Sequence, residues 1–315
     1  MDALTRILNT LKLSSTFYYR TELTAPWGMT VPAKDNVARF HIVTRGQCYL
    51  QLEGEDKGVF LSNGDLVVIP YGASHSLTDS ASTPAKTVNE VLDEANYSGE
   101  GPLIYGGDGA ACCLVCGEFG FNELGSHPLL DNLPKLLYVS GNNSHNTQWL
   151  ESALSFISHE ALNNAPGSHA IINRLSEVML IQVIRATIGS SNDKLPFLSA
   201  FADPRIDTVM SAIHANPTEE WTVEKLGRLA TMSRSSFSNL FRELVEMTPM
   251  KYIIFVRLQM ASRLLIETTM SISRIAQQVS YQSEAAFSQA FKKQYDRRPG
   301  EFRRLFSQQK ANGSA

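Results

Sequence analysis

The sequence predicts an α+β chain of two domains: an N-terminal β-barrel with a helical hairpin, then an all-α domain of two helix-turn-helix units joined by a long helix. Three observations carry this reading. Short β-rich runs broken by Gly, Pro and Asn fill Phe17 to about Glu118, helical spacing returns after Asn146, and the C-terminal region matches itself. A length of 315 residues leaves room for two cores, and 43% hydrophobic with 19% charged residues is ordinary for a globular chain. The expected boundaries are 1–188 for the first domain with its hairpin at about 147–188, 189–203 for a linker, and 204–306 for the second domain.

In chain order, Leu4, Ile7, Leu8 and Leu11 are spaced as one face of a short helix. Strands follow, among them Phe40-His41-Ile42-Val43, Cys48 to Leu52, and Leu66 to Ile69, the last ended by Pro70-Tyr71-Gly72. Many short strands with frequent turns favour a small barrel or jelly roll. Leu150, Leu154 and Ile157 lie on one candidate helical face, and Ile171, Leu175, Val178 and Ile181 on another. Asn163 to Gly167 separates them as the turn of a hairpin. That hairpin is the candidate dimer surface; packing on its own barrel is the other use of the same faces. Gly189 to Lys194 is polar and turn-rich, as a linker should be.

Net charge is −3, yet the average hides an asymmetry. From Pro204 onward 16 Lys and Arg stand against 10 Asp and Glu, giving +6; the preceding part holds 12 against 21, giving −9. A basic third on an acidic body is expected when only one domain meets phosphates. There is no run of ~18 apolar residues to span a membrane. The start, Met1 to Arg6, lacks the plan of a secretory signal, so the expected location is the cytoplasm.

The internal match is specific. Val223, Leu226, Phe237, Phe241, Pro249 and Tyr252 recur as Ile272, Ile275, Phe287, Phe291, Pro299 and Phe302, at an offset of 49 residues before the turn and 50 after it. Each unit has a short apolar helix, a polar turn, and a second helix opened by a serine, Ser233 or Ser283, whose oxygen can accept an orphan amide hydrogen. The phenylalanines, four apart, face a core. The opposite faces present Ser235, Ser238 and Asn239 in one unit and Glu284, Ala285 and Gln289 in the other, short or amide side chains suited to base edges. Arg234, Arg242, Lys292, Lys293, Arg297, Arg298, Arg303 and Arg304 are expected to position double-stranded DNA through its phosphates. Tyr252 to Glu267 reads as one rigid helix between the readers, with Phe255, Leu258, Ser262 and Leu265 along one side. A helical bundle using the same aromatics only as core is the competing reading, and duplication, serine caps and basic tail together favour DNA.

From about Pro204 to Phe306 these residues resemble the AraC/XylS family of transcription regulators, most specifically at Ile272 to Ala276, Ser283 to Lys292 and Pro299 to Arg303. The resemblance implies seven helices with two readers entering adjacent major-groove segments. It carries base contact to Ser235, Ser238, Asn239, Ala285 and Gln289, with Glu284 beside them. Two positions depart from the family: Ser280 stands for the usual glycine before the turn, and Tyr295-Asp296 for a common Phe-Gly.

Gly64 to His75 is similar to the second motif of cupin barrels, matching G-x5-P-x-G-x2-H throughout. The partner motif of two histidines and a glutamate is absent. Only His41 lies near, with Arg39 and Phe40 beside it, which is too few ligands for a catalytic metal centre. Neither metal, cofactor nor enzymatic activity is expected, although a metal-dependent cupin enzyme fused to a DNA-binding domain is the third reading. The N-terminal half resembles the cupin type found in some of these regulators, including members responsive to reactive chlorine or electrophiles. This resemblance implies a homodimer, a small-molecule or oxidant signal, and contact with RNA polymerase if the protein activates.

Effector or redox candidates are His41, His75, Cys48, Cys112, Cys113 and Cys116. Cys113 and Cys116 have C-x-x-C spacing, but on a strand residues three apart face opposite sides. Cys112 and Cys116 share a face yet stand ~13 Å apart along it, too far to bridge. Inert packing of these thiols, a cysteine-based redox switch and half a zinc site, for which no second C-x-x-C exists, are the open readings.

Overall fold

A computed structural model describes residues 2–11, 14–120, 128–141, 152–153, 155–157, 159–160, 165–189 and 195–312. They form two compact units. One combines 12–122 with 133–190; the other combines 1–11, 123–132 and 191–315.

The first unit holds two sheets. The six-stranded sheet has the order β11-β6-β3-β10-β1-β9, from β1 (Ser14–Thr24), β3 (Val37–Arg45), β6 (Leu66–Ile69), β9 (Leu103–Gly106), β10 (Ala111–Gly120) and β11 (Leu137–Val139). The five-stranded sheet has the order β5-β4-β7-β2-β8, from β2 (Gly28–Val31), β4 (Gln47–Leu52), β5 (Val59–Ser62), β7 (His75–Thr78) and β8 (Lys86–Thr87). The expected barrel is therefore not closed. Each sheet ends in short edge strands, so no ladder joins the two among the described residues, and the jelly-roll alternative is the nearer description.

Alternation along β3 and β10 explains the layers. Val43, Leu114, Cys112 and Cys116 join Leu23, Met29, Leu50, Val67 and Leu77 in one buried cluster, while Phe40, Ile42, Val115 and Phe119 are buried on the other face. Helix α2 (Val88–Glu94) opens with a capping box between Thr87 and Glu90. A later helix, Ser168–Gly189, packs on β1 and β11 through Ile172, Met179, Leu180, Val183 and Ile184. The expected face is turned by one residue: Ile171 and Val178 are 44% and 50% exposed. Of the first arm of the hairpin, the described residues at 152–153, 155–157 and 159–160 are helical and Ile157 is buried, while Leu150 and Leu154 lie outside the described residues.

The second unit departs from the expected boundaries. Helix α1 (Ala3–Leu11) groups with the C-terminal helices, with Ala3 and Ile7 fully buried and the Ala3 amide donating to Asp207 Oδ1 at 3.4 Å. Its apolar face needs a cover, and helix Pro204–Ala215 supplies one. Helix α3 (Pro128–Asp131) belongs to the same unit. With Ser168–Gly189 as α4, the second half of the expected linker is also structured: α5 (Pro196–Ala202) buries Phe197, Leu198 and Ala200. The other half, 190–194, lies outside the described residues. Seven helices follow: α6 (Pro204–Ala215), α7 (Val223–Leu229), α8 (Arg234–Val245), α9 (Pro249–Glu267), α10 (Ile272–Gln278), α11 (Glu284–Tyr295) and α12 (Pro299–Asn312). No helix among the described residues is long and apolar enough to cross a membrane.

Candidate nucleic-acid interface and sensor interior

Each helix-turn-helix unit is fixed by local chemistry first. Thr222, Ser233, Ser271 and Ser283 cap α7, α8, α10 and α11, each side chain accepting from a backbone amide three residues on. Both first helices end alike. Thr231 and Ser280 sit at φ 57° and 62°; their amides donate to the Arg228 and Gln277 carbonyls, and the next amides reach back to Gly227 and Ala276. This is the Schellman arrangement with a non-glycine residue in the left-handed position. Ser280 therefore keeps the turn that the departure from glycine put in question, and Asp296, at φ 53°, does the same at the end of α11.

The inward faces form the cores. Phe237, Phe241 and Tyr252 pack together in the first helix-turn-helix, and Phe287, Phe291 and Phe302 in the second, all buried. The outward faces are open. Ser235, Asn239, Glu284, Ala285 and Gln289 are exposed and Ser238 is half-buried. Nineteen residues of α9, roughly 28 Å at 1.5 Å per residue, connect the readers.

Of the expected phosphate partners, Arg242, Lys292, Lys293, Arg297, Arg298 and Arg304 are exposed. Arg234 is exposed too and pairs with Glu224 at 2.8 Å. Arg303 differs: its guanidinium donates to the Leu265 and Met270 carbonyls and is committed to closing the end of α9.

In the first unit the candidates fall into two buried groups and one outlier. His75 Nδ1 lies 2.8 Å from the Ala73 carbonyl, His75 Nε2 lies 2.8 Å from His41 Nε2, and His41 Nδ1 lies 3.1 Å from Cys116 Sγ. Burial holds His75 at about 4 and His41 well below its ordinary range, so both rings are neutral near pH 7. The tautomers then follow. A carbonyl only accepts, so His75 carries its hydrogen on Nδ1, His41 donates from Nε2, and the Cys116 thiol donates to His41 Nδ1. Burial also pushes the Cys116 thiol well up, which keeps that proton in place.

Cys48 and Cys112 form the second group. They lie in one buried cluster on facing sheets, and their interaction lifts Cys48 and lowers Cys112. Cys113 points to the other face of β10 and is half-buried, so the C-x-x-C pair is split as strand geometry requires. The pairing of Cys48 with Cys112 has no signal in the sequence, because it depends on which strands of opposite sheets face each other.

Comparison with known proteins agrees along the whole chain. The family model described as Cupin matches residues 2–189, and the one described as Helix-turn-helix domain matches 226–305. The HTH-type transcriptional regulator AlkR of Acinetobacter baylyi is 30% identical over 315 residues, covering 96% of this chain and 99% of that protein. A putative AraC-like transcription regulator of Streptomyces antibioticus is 30% identical over 305 residues, 96% and 99% of the two chains. The RCS-specific HTH-type transcriptional activator RclR of Escherichia coli is 28% identical over 306 residues, 96% and 98%. Among solved structures, the DNA-binding domain of AdpA in complex with a target DNA is 28% identical, covering 34% of this chain and 96% of that one, with a TM-score of 0.32. The chain belongs to the AraC-like transcription regulators, with a cupin-family region followed by a helix-turn-helix region.

Proposed function

We propose that the protein binds double-stranded DNA in a sequence-specific way and regulates transcription in response to a small molecule or oxidant met by its cupin-family unit. The observation that carries this is the duplicated unit: two capped second helices, each with a buried aromatic face and an exposed face of short or amide side chains. Asn239 and Gln289 read bases, Ser235, Ser238, Ala285 and Glu284 fit against their edges, and the exposed Arg and Lys side chains hold phosphates. Two copies act together through the outer face of α4, where Ile171 and Val178 lie exposed, and an activating form also meets RNA polymerase.

Genome-wide occupancy followed by binding to the best site in vitro tests the reading. Discrete sites are expected, with Asn239→Ala and Gln289→Ala each costing about 1–3 kcal/mol at a subset of base positions. Affinity that ignores sequence and collapses uniformly with salt refutes base reading.

A cysteine-based switch is the second reading, favoured by the interacting Cys48 and Cys112 in one buried cluster. Serine substitution at both positions with an unchanged response to oxidant excludes it.

A further inference from the structure

One end of the sandwich interior is polar in a way that packing does not account for. Arg39 and Glu118 are cross-strand partners on β3 and β10 and are only 7% and 8% exposed. They are adjacent, yet none of the ion pairs among the described residues involves Arg39. Arg39 Nε and Glu118 Oε2 are both buried without a hydrogen-bond partner. Glu118 Oε1 is taken by Lys34 Nζ at 2.7 Å. The histidines beside Arg39 offer no relief, since every ring nitrogen of His41 and His75 is already committed.

A buried guanidinium N–H left without an acceptor is unfavourable, as is an orphaned carboxylate oxygen next to it. The two orphans are complementary: one needs an acceptor, the other a donor. The loop that carries Lys34 is held by the 70–72 turn, with the Lys34 amide donating to the Gly72 carbonyl at 2.9 Å. An added Cβ on Gly72, at φ 58°, would stand 2.1 Å from the Lys34 carbonyl. Lys34 is thus fixed at the exposed edge of the group, with Glu118 and Arg39 behind it.

We propose that Arg39, Glu118 and Lys34 form a binding site for a small hydroxylated carboxylate. Its carboxylate accepts from Arg39 Nε, and its hydroxyl donates to Glu118 Oε2. The planar guanidinium favours a carboxylate over a spherical anion, and the neighbouring Glu118 disfavours a dianion. This rests on the cupin-family unit being the sensing half, and it names the chemical class of the signal.

The test is calorimetric titration of the full chain, without DNA, with gluconate, lactate, propionate and lactamide. Gluconate or lactate is expected to bind at least ten-fold more tightly than propionate, which lacks the hydroxyl, and than lactamide, which lacks the charge. Arg39→Met removes the binding, and Lys34→Ala, at an exposed position, weakens it while keeping the fold. Absence of hydroxy-acid binding up to 50-fold excess over ~1 mM, equal binding of lactate and propionate, or binding retained in Arg39→Met overturns the proposal. Because DNA takes no part, failure here leaves the DNA-binding reading standing, and failure of site selection leaves this result untouched.

Discussion

Thr231 and Ser280 occupy equivalent places in the two units, at φ 57° and 62°, where the chain turns from the first helix to the second. A left-handed conformation costs an L-residue about 1–2 kcal/mol, while glycine gives back roughly 0.5–1 kcal/mol through its freer unfolded chain. Thr231 is exposed and β-branched, so Thr231→Gly loses no burial and should stabilise by about 1 kcal/mol. Ser280→Gly gains less, since its hydroxyl donates to the Thr218 carbonyl at 3.1 Å. The two turns lie in separate helix-turn-helix motifs and share no hydrogen-bond partner, so the double variant should approach the sum. Urea unfolding of the full chain with Trp27 and Trp149 replaced by Phe, followed by the fluorescence of the buried Trp221, reads the helical unit. For a region of about 100 residues, 1 kcal/mol corresponds to a midpoint rise of roughly 4–8 °C in a thermal scan. Thr231→Ala, which keeps the Cβ, is the control and should gain less. If Thr231→Gly is neutral or destabilising while Thr231→Ala is not, the left-handed residues are not strained and the reasoning fails.

Gly72→Ala should destabilise the sandwich by more than about 2 kcal/mol, because the new Cβ would strike a backbone carbonyl at a positive φ; a circular-dichroism melt unchanged from wild type contradicts this. Acid should weaken both units. His75 and His214 are held by burial at about 4 against an ordinary 6.5, with His41 also low, so the unfolded chain binds protons that the folded one refuses. Stability from these groups is full above 6.5 and falls as the pH drops toward 4, by roughly 2 kcal/mol per histidine between pH 7 and 5, visible in urea midpoints. A midpoint flat over that window shows the rings are already charged in the fold. Thiol labelling of the native protein should modify the half-buried Cys113 first and reach Cys48, Cys112 and Cys116 only as the unit unfolds; mass spectrometry showing Cys116 labelled first speaks against the buried hydrogen-bonded thiol.

Local signals were enough to determine the helix-turn-helix half. Its caps, aromatic spacing and repeat offset act within a few residues, so Ser233, Ser283, Phe241 and Phe291 declare their roles without knowledge of neighbours, and even the longer second turn is visible as a change of offset from 49 to 50. The β-rich texture of the first unit and the split of Cys113 from Cys116 follow equally from strand alternation. What the tertiary structure alone decided is everything that depends on distant partners. Which sheet faces which brought Cys48 to Cys112 and aligned His41, His75 and Cys116 into one directed chain. The cover available to an apolar face placed α1 with the C-terminal helices, turned α4 by one residue, and made a helix of the expected linker at Pro196–Ala202. Arg303 reads as one more basic residue until the end of α9 supplies two carbonyls for it. A residue type states what a side chain can do; long-range packing chooses the neighbour with which it does it.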